Sequence, residues 1–222
     1  MKKRIKVLFE DEYFIVFDKP SGIVVIPTPQ KDNLCLTQIV NREYASHIAP
    51  KKLHPCHRID RDTSGAIIYA KGKHFQRLMM DKFRKHEVKK VYIAFVHGII
   101  RKKRGEMRSY ISNIERLRFT RGPFYMFAVT KYRVLEYKNK FSVVEVYPVT
   151  GRTNQIRIHF KEIGHPLVGE RKYAFARDYS LKFRRAALHA HILEWNHPVN
   201  GEKVKVVSDL ADDMKRLLSQ FS

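Results

Sequence analysis

The sequence predicts an α+β fold with a mixed, mostly antiparallel β-sheet flanked by helices. Three observations support this prediction. Apolar stretches joined by short polar turns outnumber strand–helix–strand units, four segments have helical periodicity, and no repeat or low-complexity linker interrupts the 222 residues. Strands joined by a tight turn pair antiparallel, whereas parallel neighbours need a long crossover. We therefore expect one domain spanning residues 1–222.

In the first half of the chain, apolar runs bounded by turn residues predict four strands, and apolar residues at helical spacing predict two helices. Thr37 is placed to act as the N-cap of the first helix. Residues 49–55 are predicted to be a loop. In order, the elements are strands at 5–9 and 13–17, a helix from about residue 37, a strand at 66–70, a helix of roughly three turns that includes Phe75 and Phe83, and a strand at 90–98.

The second half is dominated by two long strand patterns joined by the polar turn at residues 137–140, which is typical of a hairpin. Before them, residues 101–125 are basic and weakly periodic, which predicts short strands and exposed loops. Asp209 is predicted to cap a last helix. In order, the elements are strands at 126–136 and 141–149, a helix at 153–163, strands at 186–195 and 203–207, and a helix after residue 209.

The charge balance indicates a polyanionic partner. The chain has 44 lysines and arginines against 22 acidic residues, a formal net charge of +22 and a pI near 10.1. Nucleic acid is the leading candidate because cationic side chains bind phosphates and release counterions. An anionic membrane is the weaker alternative, since no cationic amphipathic helix is evident. The basic segment at 101–125 is then either an RNA-facing surface or simply a solvated run of charge.

The cysteines and the apolar segments indicate a cytoplasmic protein. Cys35 and Cys56 form neither a disulfide framework nor a C-x-x-C pair, which is typical of a reducing compartment. No apolar segment approaches the ~18 residues of a membrane span. The basic N-terminus precedes an apolar run that is too short for a signal peptide.

A polar stretch that leads directly into an apolar strand is the strongest candidate for a functional site. A buried strand holds in place the side chains of the loop before it, as a binding or catalytic loop requires. A solvated turn is the alternative interpretation. The stretch reads His57-Arg58-Ile59-Asp60-Arg61-Asp62-Thr63-Ser64-Gly65, and the apolar run 66–70 follows it.

Metal and nucleotide sites have little support in the sequence. His54, Cys56 and His57 lie close together, but Pro55 interrupts them and no second ligand pair has zinc-site spacing. We expect no metal. Neither a G-x-G-x-x-G pattern nor a phosphate-binding lysine loop is present, so we expect no nucleotide cofactor.

The carboxylates of this stretch suggest a different chemistry. Arg58 and Arg61 flank Asp60 and Asp62, and neighbouring cations lower the pKa of a carboxyl group. An ionised carboxylate suits a nucleophile or an electrostatic stabiliser better than a general acid. Ser64 lacks the G-x-S-x-G pattern of a serine nucleophile, which makes serine chemistry the weaker alternative.

Three stretches together resemble the RluA-type pseudouridine synthases, and their order along the chain matches as well. Weaker similarities occur at residues 12–22 and 187–190. The three stretches are 57–65 with the apolar run after it, Lys90-Val91-Tyr92-Ile93-Ala94-Phe95-Val96-His97-Gly98, and Thr150-Gly151-Arg152-Thr153-Asn154-Gln155-Ile156-Arg157-Ile158-His159.

This resemblance implies a pseudouridine synthase fold with a central RNA-binding cleft. It also implies isomerisation of uridine to pseudouridine in RNA, without cofactor or metal. Asp60 matches the catalytic aspartate, which either attacks the sugar or assists proton removal from it. Arg157 matches the arginine that pairs with that aspartate, and Tyr92 matches the tyrosine that lies on the uracil and serves as a base.

The same resemblance implies RNA contacts for four further residues. Arg58 corresponds to the arginine that fills the space left by the extruded uridine, an extrusion that costs a few kcal/mol. His57 belongs to the same RNA-binding or base-flipping group. Arg152 is assigned to RNA phosphate or loop structure, and Lys90 is a secondary RNA-binding candidate. The expected partner is ribosomal or transfer RNA, and we expect the protein to be a monomer.

The chain departs from the family pattern at two polar positions and at its N-terminus. Asn154 stands where histidine is usual and Glu170 where aspartate is common, and we expect both to affect loop detail rather than catalysis. No N-terminal S4 RNA-binding domain is expected. Two alternatives to the enzyme are a non-catalytic RNA-binding protein with the same fold and a hydrolase of some acidic substrate.

Overall fold

The computed structural model describes residues 4–27, 34–44, 52–112, 124–174 and 181–221. The chain divides into two compact units. The first comprises Met1–Lys90 and His189–Asp212, and the second comprises Val91–Leu188 and Asp213–Ser222. Among the described residues, no helix combines the length and the apolar character that a membrane span requires.

The first unit is built on strands that pair in the order β1-β2-β4-β9, with β3 added to β4 and β10 added to β9. The β4–β9 pairing is parallel, and the other pairings are antiparallel. Its elements are β1 (Lys6–Glu10), β2 (Phe14–Lys19), α1 (Leu36–Tyr44), β3 (Leu53–Pro55), β4 (Ser64–Lys71), α2 (Lys73–Arg84), β9 (Leu188–Asn196) and β10 (Lys203–Val207).

The core of the first unit lies between this sheet and α2. β4 is buried along its whole length because it has neighbours on both edges and apolar side chains on both faces. Removing one large apolar side chain from water stabilises the fold by about 1.5–3 kcal/mol. The central members of the core are Phe14, Val16, Ile68, Ala70, Met79, Leu193, Trp195 and Val206. The loop that enters β4 therefore starts from a rigid strand.

The second unit contains an antiparallel set of strands in the order β5-β8-β7-β6. Helix α3 contacts β6, β7 and β8 on one face, where the rings of Phe160 and Tyr132 are 5.8 Å apart. Its elements are β5 (Lys89–His97), β6 (Arg104–Ser112), β7 (Tyr125–Tyr137), β8 (Phe141–Pro148), α3 (Gln155–Glu162) and α4 (Asp212–Ser219).

The predicted fold class is confirmed, because mostly antiparallel strands carry helices on their faces. Two strand predictions are wrong. The predicted loop 49–55 contains β3, although residues 49–51 lie outside the described part. In the basic segment 101–125, Arg104–Ser112 form the nine-residue strand β6 rather than short strands, and Tyr125 begins β7. Residues 113–123 lie outside the described part as well.

Three helix starts also differ from the prediction. Thr37 lies inside α1, and its hydroxyl donates to the Val25 carbonyl (2.7 Å) instead of capping the helix. Helix α3 begins at Gln155 because Asn154 has the left-handed φ of 56°, which no helix continues. Helix α4 begins three residues after Asp209, since Ser208 N–H still pairs with the His191 carbonyl (2.8 Å).

Candidate active-site residues

Residues 56–63 form the loop that joins β3 to β4. Leu53 lies opposite Lys71 and Pro55 opposite Tyr69, so the loop is held at both ends by one strand. Asp60 is half-buried in this loop, and its carbonyl accepts the N–H of Thr63 (3.1 Å). The predicted catalytic aspartate therefore sits at a turn anchored to the core of the first unit.

A buried lysine braces the same turn from the other side. Lys19 has no exposed surface, and its ammonium donates to the carbonyls of Pro20 (2.9 Å), Ile23 (2.7 Å) and Arg61 (2.9 Å). Gly22 N–H donates to the Arg61 carbonyl as well (2.9 Å). A buried ammonium requires such oxygen partners. Lys19 lies within residues 12–22, the region of weak similarity to the family, and it holds the backbone of Arg61, the residue after Asp60.

Replacing Lys19 by methionine is expected to lower the free energy of unfolding by about 1–3 kcal/mol, because buried carbonyl groups lose their donor. Chemical denaturation monitored by circular dichroism measures this loss. Lys73→Met, on an exposed lysine at the start of α2, serves as the control with little expected effect. Equal stabilities of the two variants would contradict the bracing role of Lys19.

The arrangement of β4 next to the loop depends on Ser64 and Gly65. Ser64 lies opposite His189 and Gly65 opposite Ala190 in the parallel pairing with β9. His189 Nε2 lies 3.2 Å from the Ser208 carbonyl, which can only accept, so Nε2 carries the proton. Its Nδ1 then accepts the Ser64 hydroxyl (2.9 Å). The Ser64 residue is only 3% exposed, so its hydroxyl is not accessible to a substrate as a nucleophile must be.

His57 and Lys90 both belong to the first unit. His57 Nε2 accepts the N–H of Ile68 (3.1 Å), and its ring stacks on Phe83 with 4.5 Å between centroids. Burial, with a smaller effect from the positive charge of Lys90, lowers the pKa of His57 to about 3. Burial also lowers the pKa of Lys90. His57 is therefore neutral at pH 7 and packed within the unit, and its RNA contact stays a prediction.

The other loop cations are accessible to a ligand. Arg58 and Arg61 are exposed, whereas Asp62 is half-buried beside Asp60 in the sequence. The base-extrusion role of Arg58 stays a prediction.

In the second unit, Tyr92 is buried on β5 opposite Val146, and Arg157 projects from α3. The guanidinium of Arg157 forms a bidentate ion pair with Glu170, through Nε (2.7 Å) and Nη2 (2.8 Å). The Glu170 side chain has no exposed surface and also accepts the backbone N–H groups of residues 171–173. This geometry fixes the orientation of the Arg157 side chain.

The electrostatics of Glu170 match this geometry. Burial alone would raise the pKa of Glu170, but the Arg157 guanidinium and the N–H groups of Lys172 and Tyr173 outweigh it and lower the pKa. Glu170 is therefore a carboxylate at neutral pH, and its charge is balanced by Arg157.

The two residues that depart from the family pattern both contact Arg157. Glu170 is the ion-pair partner of Arg157, and Asn154 Oδ1 accepts from Arg157 Nη1 (2.9 Å). Asn154 Nδ2 in turn donates to the Tyr173 hydroxyl (2.9 Å), and the Arg157 guanidinium lies 5.3 Å from the centroid of the Tyr173 ring. Both replacements thus hold the arginine that was singled out from the sequence. No sequence signal connects Tyr173 to this group.

Arg152 lies at the turn before α3 and contacts β7. Its Nε donates to the Phe127 carbonyl (3.1 Å), and its backbone N–H donates to Gln155 Oε1 (3.0 Å). The buried Gln155 amide also donates to the Val129 carbonyl (3.0 Å) and to the Thr130 hydroxyl (2.9 Å). Gln155, which sequence reasoning did not single out, therefore anchors the turn that carries Arg152.

The described residues contain no group of three or more histidine, cysteine, aspartate or glutamate side chains arranged for a metal ion. The Cys56 thiol donates to the His54 carbonyl (3.8 Å), and burial raises the pKa of that thiol. A protonated, buried thiol is a poor metal ligand. Cys56 is a packing residue of the first unit.

Comparison with known proteins identifies the family. Residues 13–162 match the model of the RNA pseudouridylate synthase family. The chain is 31% identical to "Ribosomal large subunit pseudouridine synthase D" of Xylella fastidiosa, over 97% of this chain and 69% of the relative. It is 33% identical to "Dual-specificity RNA pseudouridine synthase RluA" of Pasteurella multocida, over 89% of this chain and 90% of the relative.

A solved structure shares the fold. The structure of "Human RNA Pseudouridylate Synthase Domain Containing 4" superposes with a TM-score of 0.78 at 24% identity, covering 97% of this chain and 92% of the other. The family model spans more than half of this chain, and both relatives exceed 30% identity. The chain therefore belongs to the RluA-type RNA pseudouridine synthases, enzymes that isomerise uridine in RNA.

Proposed function

We propose that this enzyme isomerises one or a few uridines of large-subunit ribosomal RNA, with Asp60 as the catalytic residue. The choice of Asp60 rests on the motif at residues 57–65, in which it matches the catalytic aspartate. Its half-burial, in a loop held at both ends by β4 and braced by Lys19, supports that choice. The choice of RNA rests on a relative whose name assigns it to the large ribosomal subunit. The dual-specificity relative suggests transfer RNA as a second substrate class.

In the proposed reaction, the glycosidic bond between C1′ of the ribose and N1 of the uracil breaks, and a C1′–C5 bond forms after the base rotates. C5 loses its proton and N1 gains one, so no atoms or electrons are exchanged with a cofactor. Asp60 either attacks C1′ or removes a proton from the sugar. Tyr92 is proposed to act as the base that removes the C5 proton.

Other residues are proposed to position the RNA rather than to react. Arg157, which Glu170 and Asn154 hold, is proposed to pair with the catalytic aspartate and to balance its negative charge. Arg58 is assigned to the space that the extruded uridine leaves. Arg152 and Lys90 are assigned to phosphate contacts, where a cation gains affinity by counterion release.

We further propose that the chain acts as one catalytic domain and as a cytoplasmic monomer, without cofactor or metal. The cysteines Cys35 and Cys56 are free and buried, which is consistent with a reducing compartment. The net charge of +22 supports RNA binding by the catalytic chain itself.

Tritium release from uridine tests this proposal. Transcripts of large-subunit ribosomal RNA and of transfer RNAs, labelled at uridine C5, are incubated with the purified chain. Release from ribosomal RNA is expected, because C5 exchanges its hydrogen for the new bond to C1′. Release from transfer RNA alone would shift the substrate class, and release from neither would contradict the proposal.

A further inference from the structure

The hairpin formed by β6 and β7 has one buried face and one face turned to solvent. Side chains alternate along each strand, and the buried side carries Met107, Ile111, Ala128 and Tyr132. The register places Tyr110 opposite Phe127 and Ser112 opposite Tyr125. Three aromatic rings therefore project from the face that lies opposite the buried one.

These three rings are unusually exposed for aromatic side chains. Tyr110 is 69% exposed, Tyr125 56% and Phe127 44%. The rings of Tyr110 and Phe127 are 5.4 Å apart at an angle of 54°. Exposed apolar clusters mark binding surfaces more often than isolated exposed residues do. We call Tyr110, Tyr125 and Phe127 the aromatic platform.

Cations lie around the aromatic platform. The same register and alternation put Arg104, Arg108, Lys131 and Arg133 on its face. Glu106 pairs with Arg108 and Lys131, and Glu145 pairs with Arg133 (2.6 Å), so positive charge is in excess there.

The turn before α3 adds a further positive charge. Arg152, through its bond to the Phe127 carbonyl, brings a guanidinium to the edge of the aromatic platform. This hydrogen bond to the backbone of β7 keeps the charge of Arg152 beside the platform.

We propose that the aromatic platform binds single-stranded RNA, with unpaired bases stacked on its rings and phosphates against the surrounding cations. Taking RNA as the ligand rests on the proposed function. Aromatic side chains accept any base because every base has a π-face, and a positively charged surface follows the backbone. The platform binds unpaired segments of the substrate RNA with little sequence preference.

A protein partner fits this face less well. The core of a protein interface is depleted of charge, whereas here the three rings are interspersed with lysine and arginine side chains on the same two strands. A nucleic-acid strand has bases that can stack on the rings and phosphates that can bind the cations.

Fluorescence anisotropy with a labelled oligouridylate of about twelve nucleotides measures the predicted binding. The double variant Tyr110→Ala/Phe127→Ala is expected to bind at least about tenfold more weakly than the unmodified chain. Phe127→Leu, which keeps an apolar group but no π-face, is expected to lose affinity too, and Phe127→Trp to keep it. Leu135→Ala changes an exposed apolar residue of the same strand and is the control, with unchanged affinity.

The outcomes separate this inference from the proposed function. Circular dichroism first confirms that each variant folds, and exposed rings are expected to leave the melting temperature unchanged. Unaltered affinity of the folded double variant would overturn the platform, even if ribosomal RNA is isomerised. Weakened affinity supports it, even if ribosomal RNA proves the wrong substrate. Unaltered affinity together with a changed oligomeric state would assign the face to a protein contact and reject RNA.

Discussion

Asp60→Ala is expected to lower the rate of pseudouridine formation by about a thousandfold or more, while the protein folds and binds RNA. In the proposed reaction the Asp60 carboxylate either attacks C1′ or removes a proton from the sugar, and alanine can do neither. RNA affinity should survive because most of it comes from phosphate contacts elsewhere on a chain of net charge +22. Single-turnover tritium release, with binding measured in parallel, gives both quantities.

Asp62→Ala is the matched control for this substitution. Asp62 lies two residues from Asp60 in the same loop and is also half-buried, so it tests for a general effect of removing a carboxylate there. The control is expected to keep most of the activity. If Asp60→Ala retained turnover similar to that of Asp62→Ala, the assignment of the catalytic residue would be wrong.

Gly65→Ala is expected to have the largest effect on stability, a loss of about 4 kcal/mol, which is much of the 5–15 kcal/mol that holds a typical fold. Gly65 has a φ of +107°, and a Cβ there would lie 2.2 Å from the Ala190 carbonyl oxygen. The Cβ would be bonded directly to the β4 backbone and the oxygen belongs to the β9 backbone, so neither moves without disturbing the β4–β9 pairing. Thermal unfolding followed by circular dichroism measures the loss.

Gly201→Ala separates backbone strain from steric overlap. Gly201 also has a positive φ, of +77°, but no atom lies within 4 Å of the position that its Cβ would take. We expect it to cost about 1–2 kcal/mol, from strain alone. Equal losses for the two glycine variants would show that the close approach to Ala190 has no energetic weight.

The strands with clear alternation were predictable from the sequence, whereas β3 was not. The β7–β8 hairpin has long strand patterns on either side of a polar turn, and these features of the local sequence are sufficient to predict it. β3 has only three residues and ends in proline. It is held by β4 and by Asn41, whose amide donates to the Leu53 carbonyl (2.9 Å) and whose Oδ1 accepts the Leu53 N–H (2.8 Å). Twelve residues separate these partners, and no local pattern connects them.

The candidate site was predictable as a set of residue types but not as a network. The resemblance singles out Asp60 and Arg157 because their motifs are short and distinctive. It leaves out the groups that hold them, because Lys19 and Glu170 are charged residues that composition assigns to the surface. Their burial depends on carbonyl groups and a guanidinium that only the folded chain brings to them.

Mapping pseudouridines at nucleotide resolution, in RNA from cells with and without this gene, tests the central claim most directly. The claim is that Asp60 of this chain converts specific uridines of ribosomal RNA. We expect one or a few pseudouridines of the large-subunit RNA to disappear with the gene. The unmodified gene should restore them, and a gene carrying Asp60→Ala should not. An unchanged pseudouridine map, or full restoration by Asp60→Ala, would contradict the claim.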